Sequence, residues 1–336
     1  MQINKLMEVL DLGEVIEMPR EVQGGLLHKM YRVTTTKGTF AVKVLNQEIM
    51  KRPSALNNTI NSEKIAAIFQ SIVPAVASCK IQDKQIHEMD GRHYMIFPWV
   101  EGRSVFPPEI SKKHCEIIGD LLGKMHRLNI ALDEVKAEDD GGQMYEWERY
   151  LQMTKEQEAH AESWLLRYEN SMKDIAAWNG AACEAQDVLT GHMVISHRDL
   201  DPKNVIWNRN TPFIIDWEAA GYVNPYQELL EVINYWVDDG KGSLNLEYLE
   251  ALTEAYGRHV SLRDVAWEKV LAGSYAGMLG WLAYNVRRAL GIEASDDEEI
   301  RLGKEQVTGT IQALYDYQAK AELLLNYFKA AETLTK

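Results

Sequence analysis

Short apolar segments of strand length, separated by polar turns, dominate the first hundred residues of the chain. Strands are predicted at residues 21–33 (two strands around a glycine turn), 39–45, 76–82 and 92–99. Residues 57–68 have the cap and spacing of a helix, and a short amphipathic helix is expected within residues 1 to about 20. The first part of the chain is therefore expected to form an antiparallel sheet with a helix.

From residue 110 onward, apolar residues recur every three or four positions, which is the period of an amphipathic helix. Helices are predicted at about residues 110–128, 143–170, 171–188, 229–237, 245–258, 264–290 and 299–332. Only residues 194–216 interrupt this pattern, with three short apolar strands. The second part of the chain is therefore expected to be mostly helical.

The ends of these three strands carry the polar residues that point to chemistry. The first strand leads into His197, Arg198 and Asp199, Asn204 follows Asp199 by five residues, and the third strand ends at Asp216. Phosphoryl transfer from ATP needs such a set: one carboxylate orients the acceptor hydroxyl and takes its proton, while an amide oxygen and a second carboxylate hold Mg²⁺. The alternative is a solvated loop in which Asp and Asn are turn residues.

The spacing His-x-Asp-x-x-x-x-Asn, followed by an Asp after an apolar triplet, is the catalytic-loop signature of protein-kinase-like enzymes. On this interpretation Asp199 is the catalytic base, Asn204 and Asp216 are the metal ligands, and His197 and Arg198 brace the loop. The cofactors expected are ATP and Mg²⁺.

Lys43 projects from a predicted strand that is apolar on both faces. A buried ammonium group is costly without an anion, so Lys43 is expected to bind the ATP phosphates and to pair with a carboxylate of the next helix. Glu63 is the preferred partner and Glu48 the alternative; Lys43 could also reach solvent from an edge strand. Gly24 and Gly25 would let backbone amides approach phosphate, although any hairpin can carry such glycines.

The catalytic-loop spacing together with Ile-Asp-Trp-Glu at residues 215–218 resembles the aminoglycoside phosphotransferase and choline kinase superfamily of small-molecule kinases. The resemblance implies a bilobal, protein-kinase-like α+β fold, with a small antiparallel-sheet lobe at residues 1–98 and a mostly helical lobe at residues 99–336. ATP would bind between the lobes, and a helical insertion at about residues 130–190 would help to build the acceptor site. One departure is Arg198, where this superfamily mostly has glycine.

The resemblance also implies that the chain binds adenine where the first lobe ends. Pro98 has no N–H, so its carbonyl would accept a hydrogen bond from the adenine amine, and the Val100 N–H would donate to the ring. A protein kinase would continue after Asp216 with Phe-Gly and later Ala-Pro-Glu. Neither sequence follows here, which favours a small molecule as the acceptor.

The chain has 36 basic and 50 acidic residues, so its net charge is −14. Nucleic acids and anionic membranes bind basic surfaces, so neither is expected as a partner. An acidic surface suits a cationic substrate, or it serves solubility alone. Three cysteines without paired spacing, no signal-peptide pattern and no apolar run of membrane length predict a cytoplasmic protein.

The acceptor itself has several candidates. The first is an aminoglycoside or another antibiotic, which would make the protein an antibiotic-resistance kinase; the second is a metabolite such as choline, ethanolamine, a sugar, methylthioribose or homoserine. A nucleotide-binding pseudokinase or regulator is the alternative of another class. The aromatic residues of the helical insertion could face a ring substrate, but they are expected to be core residues. The segment around Asn285, Arg287 and Arg288 is expected to be a buried structural helix. The oligomeric state is left open.

Overall fold

The computed structural model describes residues 2–22, 28–137, 142–157, 162–237 and 243–334. Contacts divide the chain into two compact units. The first consists of Met1–Ala137, Val194–Val223 and Val232–Val260, and the second of Glu138–Met193, Asn224–Glu231 and Ser261–Lys336. The predicted lobe boundary after residue 98 lies inside the first unit and stays a prediction.

The described residues form strands and helices in the proportions of an α+β protein, as predicted. The strands are β1 (Arg20–Val22), β2 (Lys29–Thr35), β3 (Gly38–Val44), β4 (His87–Met89), β5 (Arg92–Pro98), β6 (Val194–Ser196), β7 (Val205–Asn208), β8 (Thr211–Ile214) and β9 (Gly221–Val223). The helices are α1 (Gln2–Val9), α2 (Gln47–Met50), α3 (Ala55–Phe69), α4 (Lys112–Leu128), α5 (Trp147–Gln157), α6 (Ser163–Thr190), α7 (Pro225–Trp236), α8 (Leu246–Gly257), α9 (Trp267–Gly273), α10 (Tyr275–Ala289) and α11 (Asp297–Leu334). Within the part of the chain described, no helix combines the length and the apolar composition that crossing a bilayer requires.

Five strands of the first unit form one antiparallel sheet in the order β1-β2-β3-β5-β4. In this register Lys43 lies opposite Met30 and Met95, so these three side chains share one face of the sheet. The other face is apolar and packs against α1 through residues that include Leu6, Met7, Val33, Val42, Tyr94 and Ile96. Because side chains alternate along a strand, covering that face with α1 leaves Lys43 on the opposite one.

The predicted strand at residues 76–82 is wrong, since the strand that pairs with the outer edge of β5 is β4. The Val76 N–H donates to a carbonyl of β8 at 2.8 Å, and the Cys79 N–H donates to a carbonyl of β5 at 2.6 Å. Gln82 then turns the chain with a positive φ of 51°. The segment is apolar and largely buried, but its backbone bonds go to two different elements, so no strand ladder forms.

The helices also depart from the predicted limits at three places. The first helix ends at Val9, before residues with positive φ at Asp11 (53°) and Gly13 (92°). The helices predicted at residues 143–170 and 171–188 are α5 and α6, and α6 runs unbroken through residue 170. The helix predicted at residues 264–290 is divided at Ser274 into α9 and α10.

Helices α4 and α8 of the first unit approach closely because two glycines of α4 face α8. A Cβ atom on Gly119 would lie 2.1 Å from the carbonyl oxygen of Leu252, and one on Gly123 would lie 2.9 Å from that of Tyr256. Helix α4 also contacts β6, which leads into the catalytic loop. The close helix pair therefore supports the strand that positions the predicted base.

The second unit has an apolar core built by α5, α6 and α9–α11. Trp147, Trp164, Tyr168 and Trp178 are all buried in it, which confirms that these aromatic residues belong to the core. Asn285 is also fully buried, and its Nδ2 donates to the Trp281 carbonyl at 2.8 Å. The segment around Asn285 is therefore the buried structural helix that the sequence predicts.

We expect Gly119→Ala to lower the free energy of unfolding by about 1–3 kcal/mol, because the added methyl group collides with the backbone of α8. Gly309→Ala in α11 is the matched control, since a Cβ there meets nothing within 4 Å. A helical Gly→Ala change at an open position stabilises by about 1 kcal/mol. Urea unfolding of both variants tests this contrast, and equal effects would contradict the close packing of α4 on α8.

Candidate active site

His197 joins the predicted catalytic loop to the segment after β8, which carries Asp216. It follows the buried strand β6, and its side chain is itself fully buried. Its Nδ1 accepts the Asp199 N–H at 3.2 Å, and its Nε2 lies 3.0 Å from the carbonyl oxygen of Ile215. Because Nδ1 is the acceptor, the neutral ring carries its proton on Nε2 and donates it to Ile215. This is the bracing contact that the sequence predicts for His197.

Ile215 is held from both sides, and this brings the two predicted metal ligands together. Its carbonyl accepts from His197, and its N–H donates to the backbone carbonyl of Asn204 at 2.9 Å. Asn204 is buried and directly precedes β7, while Asp216 directly follows Ile215. The β7–β8 hairpin thus fixes Asn204 next to the backbone that carries Asp216.

Two non-glycine residues of the site have a left-handed backbone. The φ angle is 65° at Arg198 and 58° at Asp216. Glycine adopts this conformation without strain, which gives a physical reason for the glycine that the superfamily mostly has at the position of Arg198. The Arg198 side chain lies against Gly221 of β9. A Cβ atom on Gly221 would be 3.1 Å from the Arg198 Nη1. Left-handed backbone at non-glycine residues is a recurrent feature of functional sites.

Asp199 is positioned by Asn204. The Asn204 Nδ2 donates to the Asp199 backbone carbonyl at 2.8 Å and to its Oδ2 at 2.9 Å. These two bonds use both protons of the Asn204 amide nitrogen. The Asn204 Oδ1 is then the atom of this side chain that can ligate a metal. The Asp199 side chain is 32% exposed, so an acceptor hydroxyl can reach it.

Lys203 is a residue of the site that the sequence analysis missed. Its Nζ lies 3.4 Å from Oδ1 and 3.3 Å from Oδ2 of Asp199. The spacing of four residues was visible in the sequence, but the approach depends on the 3-10 turn Pro202–Asn204. Asp201 starts this turn by accepting the Lys203 N–H at 2.8 Å. A cation therefore stands beside the predicted base.

Lys43 is buried, and carboxylates of the Asp216 segment surround its ammonium group. Its Nζ lies 3.1 Å from Asp216 Oδ1 and forms a second ion pair with Glu218. Burial by itself would lower the pKa of Lys43, but the two carboxylates outweigh it and raise the pKa above its ordinary value. Lys43 is therefore a fixed cation at neutral pH, as phosphate binding requires.

Glu63 does not form the predicted ion pair with Lys43 in this structure. It is buried on α3, and its Oε2 accepts the Ser78 N–H at 2.7 Å. Burial raises the pKa of Glu63, while the Ser78 bonds and the Lys43 charge oppose that rise. The left-handed backbone of Asp216 brings Asp216 and Glu218 to Lys43 instead. The alternative partner, Glu48, is exposed and pairs with Lys51. A role of Glu63 in nucleotide binding stays a prediction.

Pro98 is the last residue of β5, and the ladder with β3 needs no N–H at this position. The Trp99 N–H donates to the Thr39 carbonyl at 3.2 Å, so the neighbouring pair of Phe40 and Pro98 is a non-hydrogen-bonded pair of the ladder. The Pro98 carbonyl is therefore not used by β3. Val100 follows outside any strand, and its N–H has no acceptor among the described residues. Both groups are available for the predicted contacts with adenine.

Gly24 and Gly25, the two glycines predicted to cover the phosphates, lie outside the described residues. The strands on either side of them, β1 and β2, pair in register, with Val22 opposite Met30. Their contact with phosphate stays a prediction.

The donor set at the end of β8 fits Mg²⁺. Asp216, Glu218 and the Asn204 Oδ1 offer hard oxygen ligands, which Mg²⁺ prefers. Among the residues described, no group of three or more His, Cys, Asp and Glu side chains forms a closed metal cage. An incomplete set of this kind suits an ion that takes its other ligands from water and from substrate phosphates.

The raised pKa of Glu63 predicts how its replacement changes stability with pH. A carboxyl group whose pKa is raised by folding weakens the folded state as pH rises from the ordinary pKa through the raised one. Glu63→Gln keeps an acceptor for the Ser78 N–H and does not titrate. We therefore expect the variant to gain stability relative to wild type over the pH range that begins at the ordinary glutamate pKa of about 4.5 and extends upward, because only the wild-type side chain must lose its proton there.

Urea unfolding of both proteins at several pH values in that range measures this gain. The exposed Glu88 of β4 gives the control Glu88→Gln, which should show no comparable gain. A constant difference between Glu63→Gln and wild type across the range would contradict the buried, protonation-sensitive environment of Glu63.

The sequence from residue 19 to residue 261, most of the chain, matches the phosphotransferase enzyme family. No curated protein is matched. Solved structures with a similar fold include spectinomycin phosphotransferase in complex with ADP and spectinomycin, at 11% identity and a TM-score of 0.64 over 94% of this chain and 98% of that one.

Two further similar structures are kinases of other small molecules. One is a microcompartment-associated aminopropanol kinase, at 15% identity and a TM-score of 0.59 over 95% of this chain and 98% of that one. The other is choline kinase from Cryptosporidium parvum Iowa II, at 12% identity and a TM-score of 0.56 over 94% and 92% of the two chains. These likenesses confirm the predicted protein-kinase-like fold class, and with the family match they confirm the resemblance to the aminoglycoside phosphotransferase and choline kinase superfamily. The chain belongs to the phosphotransferase enzyme family.

Proposed function

We propose that this protein transfers the γ-phosphate of ATP to a hydroxyl group of a small molecule. The observation that carries the proposal is the meeting of Lys43 with Asp216 across 173 residues of sequence, at 3.1 Å. This contact supports the proposal because it joins the residue predicted to bind phosphate to the carboxylate predicted to bind metal. Asp199 and Asn204 are fixed to the same segment through Ile215.

The nucleotide end of the site uses Lys43, Pro98 and Val100. Lys43 would exchange its carboxylate partners for the α- and β-phosphates, since both sets are anionic and the buried ammonium needs one of them. The Pro98 carbonyl and the Val100 N–H would bind the adenine edge. Gly24 and Gly25 would bring backbone amides to the phosphates, and Glu63 would supply a further carboxylate near Lys43.

Asp216, the Asn204 Oδ1 and Glu218 would hold Mg²⁺, which when bound neutralises charge on the phosphates. The chain's own contribution is to keep these oxygens in place. The left-handed backbone of Asp216 and the two bonds of Ile215 do so through contacts of the chain with itself. Preorganised polar groups of this kind are the main source of catalysis in phosphoryl transfer.

At the acceptor end, Asp199 would orient the substrate hydroxyl and accept its proton. The Asn204 amide fixes Oδ2 of Asp199, and His197 fixes its backbone through the Asp199 N–H. Lys203 beside it would balance the negative charge of the incoming phosphoryl group. Arg198 would hold the loop against β9. Positioning matters more here than a shifted pKa, because the bond to the leaving ADP is largely broken in the transition state.

We expect Asp199→Asn to lower turnover by about 10²–10⁴-fold, because the amide cannot take the proton of the acceptor. The affinity for ATP should stay nearly unchanged, since Asp199 contacts neither phosphate nor adenine in this proposal. ADP release gives the rate, and calorimetry gives ATP affinity. Asp90→Asn is the matched control, because Asp90 is exposed in the β4–β5 turn and asparagine tolerates its positive φ of 51°. An unchanged rate in Asp199→Asn would remove Asp199 as the base.

The acceptor is best sought among cationic small molecules. The structural neighbours are named for spectinomycin, aminopropanol and choline, which are different acceptors on one fold. The net charge of −14 favours a positively charged substrate. An aminoglycoside or another antibiotic is the first candidate, which would give a role in antibiotic resistance. Choline, ethanolamine, a sugar, methylthioribose or homoserine is the metabolic alternative.

An ATP-consumption screen with Mg²⁺ separates these candidates. We expect a cationic acceptor to give a rate that is lost in Asp199→Asn and a KM that rises with ionic strength, because salt screens the attraction to an acidic protein. Phosphate appearing on protein instead would favour a protein kinase. ATP binding without transfer to any acceptor would favour a pseudokinase or a regulator.

The proposal includes a cytoplasmic location and no nucleic-acid or membrane partner. Cys79, Cys115 and Cys183 are free thiols, which suits a reducing compartment. The acidic balance of charge disfavours both kinds of anionic partner.

A further inference from the structure

His28 lies directly before β2, and both of its ring nitrogens are engaged. The side chain is 8% exposed. Its Nδ1 accepts the backbone N–H of Asn46 at 2.9 Å. Since that bond occupies the lone pair of Nδ1, the neutral ring carries its proton on Nε2. Nε2 lies 3.3 Å from Oε1 of Glu218. His28 is thus a donor directed at Glu218.

Glu218 has two partners of different kinds in this cluster. One is the Lys43 ammonium, which phosphates would take over when ATP binds, and the other is His28. A carboxylate that loses its ammonium partner rotates freely unless a second donor holds it. Asn46, which fixes the ring of His28, caps the short helix α2 after β3 and is not part of the phosphate-binding set. The His28 contact can therefore persist when Lys43 turns to the nucleotide.

We propose that His28 is a positioning residue that holds the Glu218 carboxylate in place for the metal while Lys43 is engaged with the phosphates. The inference rests on the proposed function, because it concerns the same site. The contact between His28 and Glu218 links the start of β2, which follows Gly24 and Gly25, to the segment proposed to bind metal. Neither partner is apparent from sequence spacing, since the two residues are far apart in the chain.

Two substitutions separate the two hydrogen bonds of His28. In His28→Gln the side-chain amide nitrogen reaches the position of Nε2 and can still donate to Glu218. In His28→Asn the side-chain oxygen stands near the position of Nδ1 and can still accept from Asn46, but the bond to Glu218 is lost. His28→Leu removes both. His93→Gln, on β5 and outside the cluster, is the control.

The measurement is Mn²⁺ binding, followed by electron paramagnetic resonance, to each protein saturated with a non-hydrolysable ATP analogue. We expect His28→Asn and His28→Leu to weaken Mn²⁺ binding by about tenfold, the range found when a group that orients a metal ligand is removed. His28→Gln and His93→Gln should bind Mn²⁺ nearly as wild type does. In a Glu218→Gln background, His28→Asn should have little further effect, because the two residues act as one unit.

Other outcomes overturn the inference in distinguishable ways. If His28→Asn binds Mn²⁺ like wild type and His28→Gln does not, the Asn46 bond matters and His28 only anchors the chain. If His28→Asn and His28→Gln lose Mn²⁺ affinity equally and both have a lower melting temperature without metal, His28 has a purely structural role. If His28→Asn does not fold, the Mn²⁺ affinities of His28→Leu and His28→Gln are compared instead, because only His28→Gln keeps the donor to Glu218. If wild type itself binds no Mn²⁺ with nucleotide, the proposed function fails rather than the role of His28.

Discussion

The burial of one ammonium group constrains the rest of the first unit. Lys43 projects from the middle strand of a five-stranded sheet, and α1 covers the opposite face of that sheet. Its buried ammonium group therefore needs anionic partners. The β7–β8 hairpin supplies them by turning Asp216 and Glu218 toward it. In the proposed function the phosphates of ATP would take the place of these carboxylates, because the buried ammonium group needs one set of anions or the other.

The catalytic loop depends on this arrangement through a single backbone residue. The Ile215 carbonyl accepts from His197 and the Ile215 N–H donates to Asn204, so the loop and the segment that carries Asp216 share two hydrogen bonds, one on each side of the Ile215 Cα atom. A shift of Asp216 would therefore move Asp199 and Asn204 with it. Buried, fully satisfied networks of this kind fix one geometry at the cost of adaptability.

The sequence selects residues of the candidate site wherever a local pattern marks them. Asp199, Asn204 and Asp216 follow from strand ends and loop lengths, Lys43 follows from a strand that is apolar on both faces, and the burial of the aromatic residues in α5 and α6 follows from helical periodicity. Lys203, Glu218 and His28 could not be found this way, because their contacts depend on a 3-10 turn, a left-handed residue and the approach of distant strands.

Two of the differences between prediction and structure, the strand at residues 76–82 and the ion pair of Glu63 with Lys43, have related causes. Residues 76–82 are apolar enough for a strand, but their backbone bonds are divided between two elements. Glu63 lies on the helix that the general pattern requires, yet its carboxylate accepts a backbone N–H that only the folded structure brings near. Hydrophobic pattern and residue type predict burial well and predict the partner of a buried group poorly.

Pro98 has a consequence for how the sheet assembles. Its position in a non-hydrogen-bonded pair means that a slip of β5 by one residue along β3 would bring proline to a place where the ladder needs an N–H. The same slip would turn Tyr94 and Ile96 out of the core under α1. Proline at this end of β5 therefore disfavours a shifted register, so a residue that we propose for adenine binding also protects the sheet against mispairing.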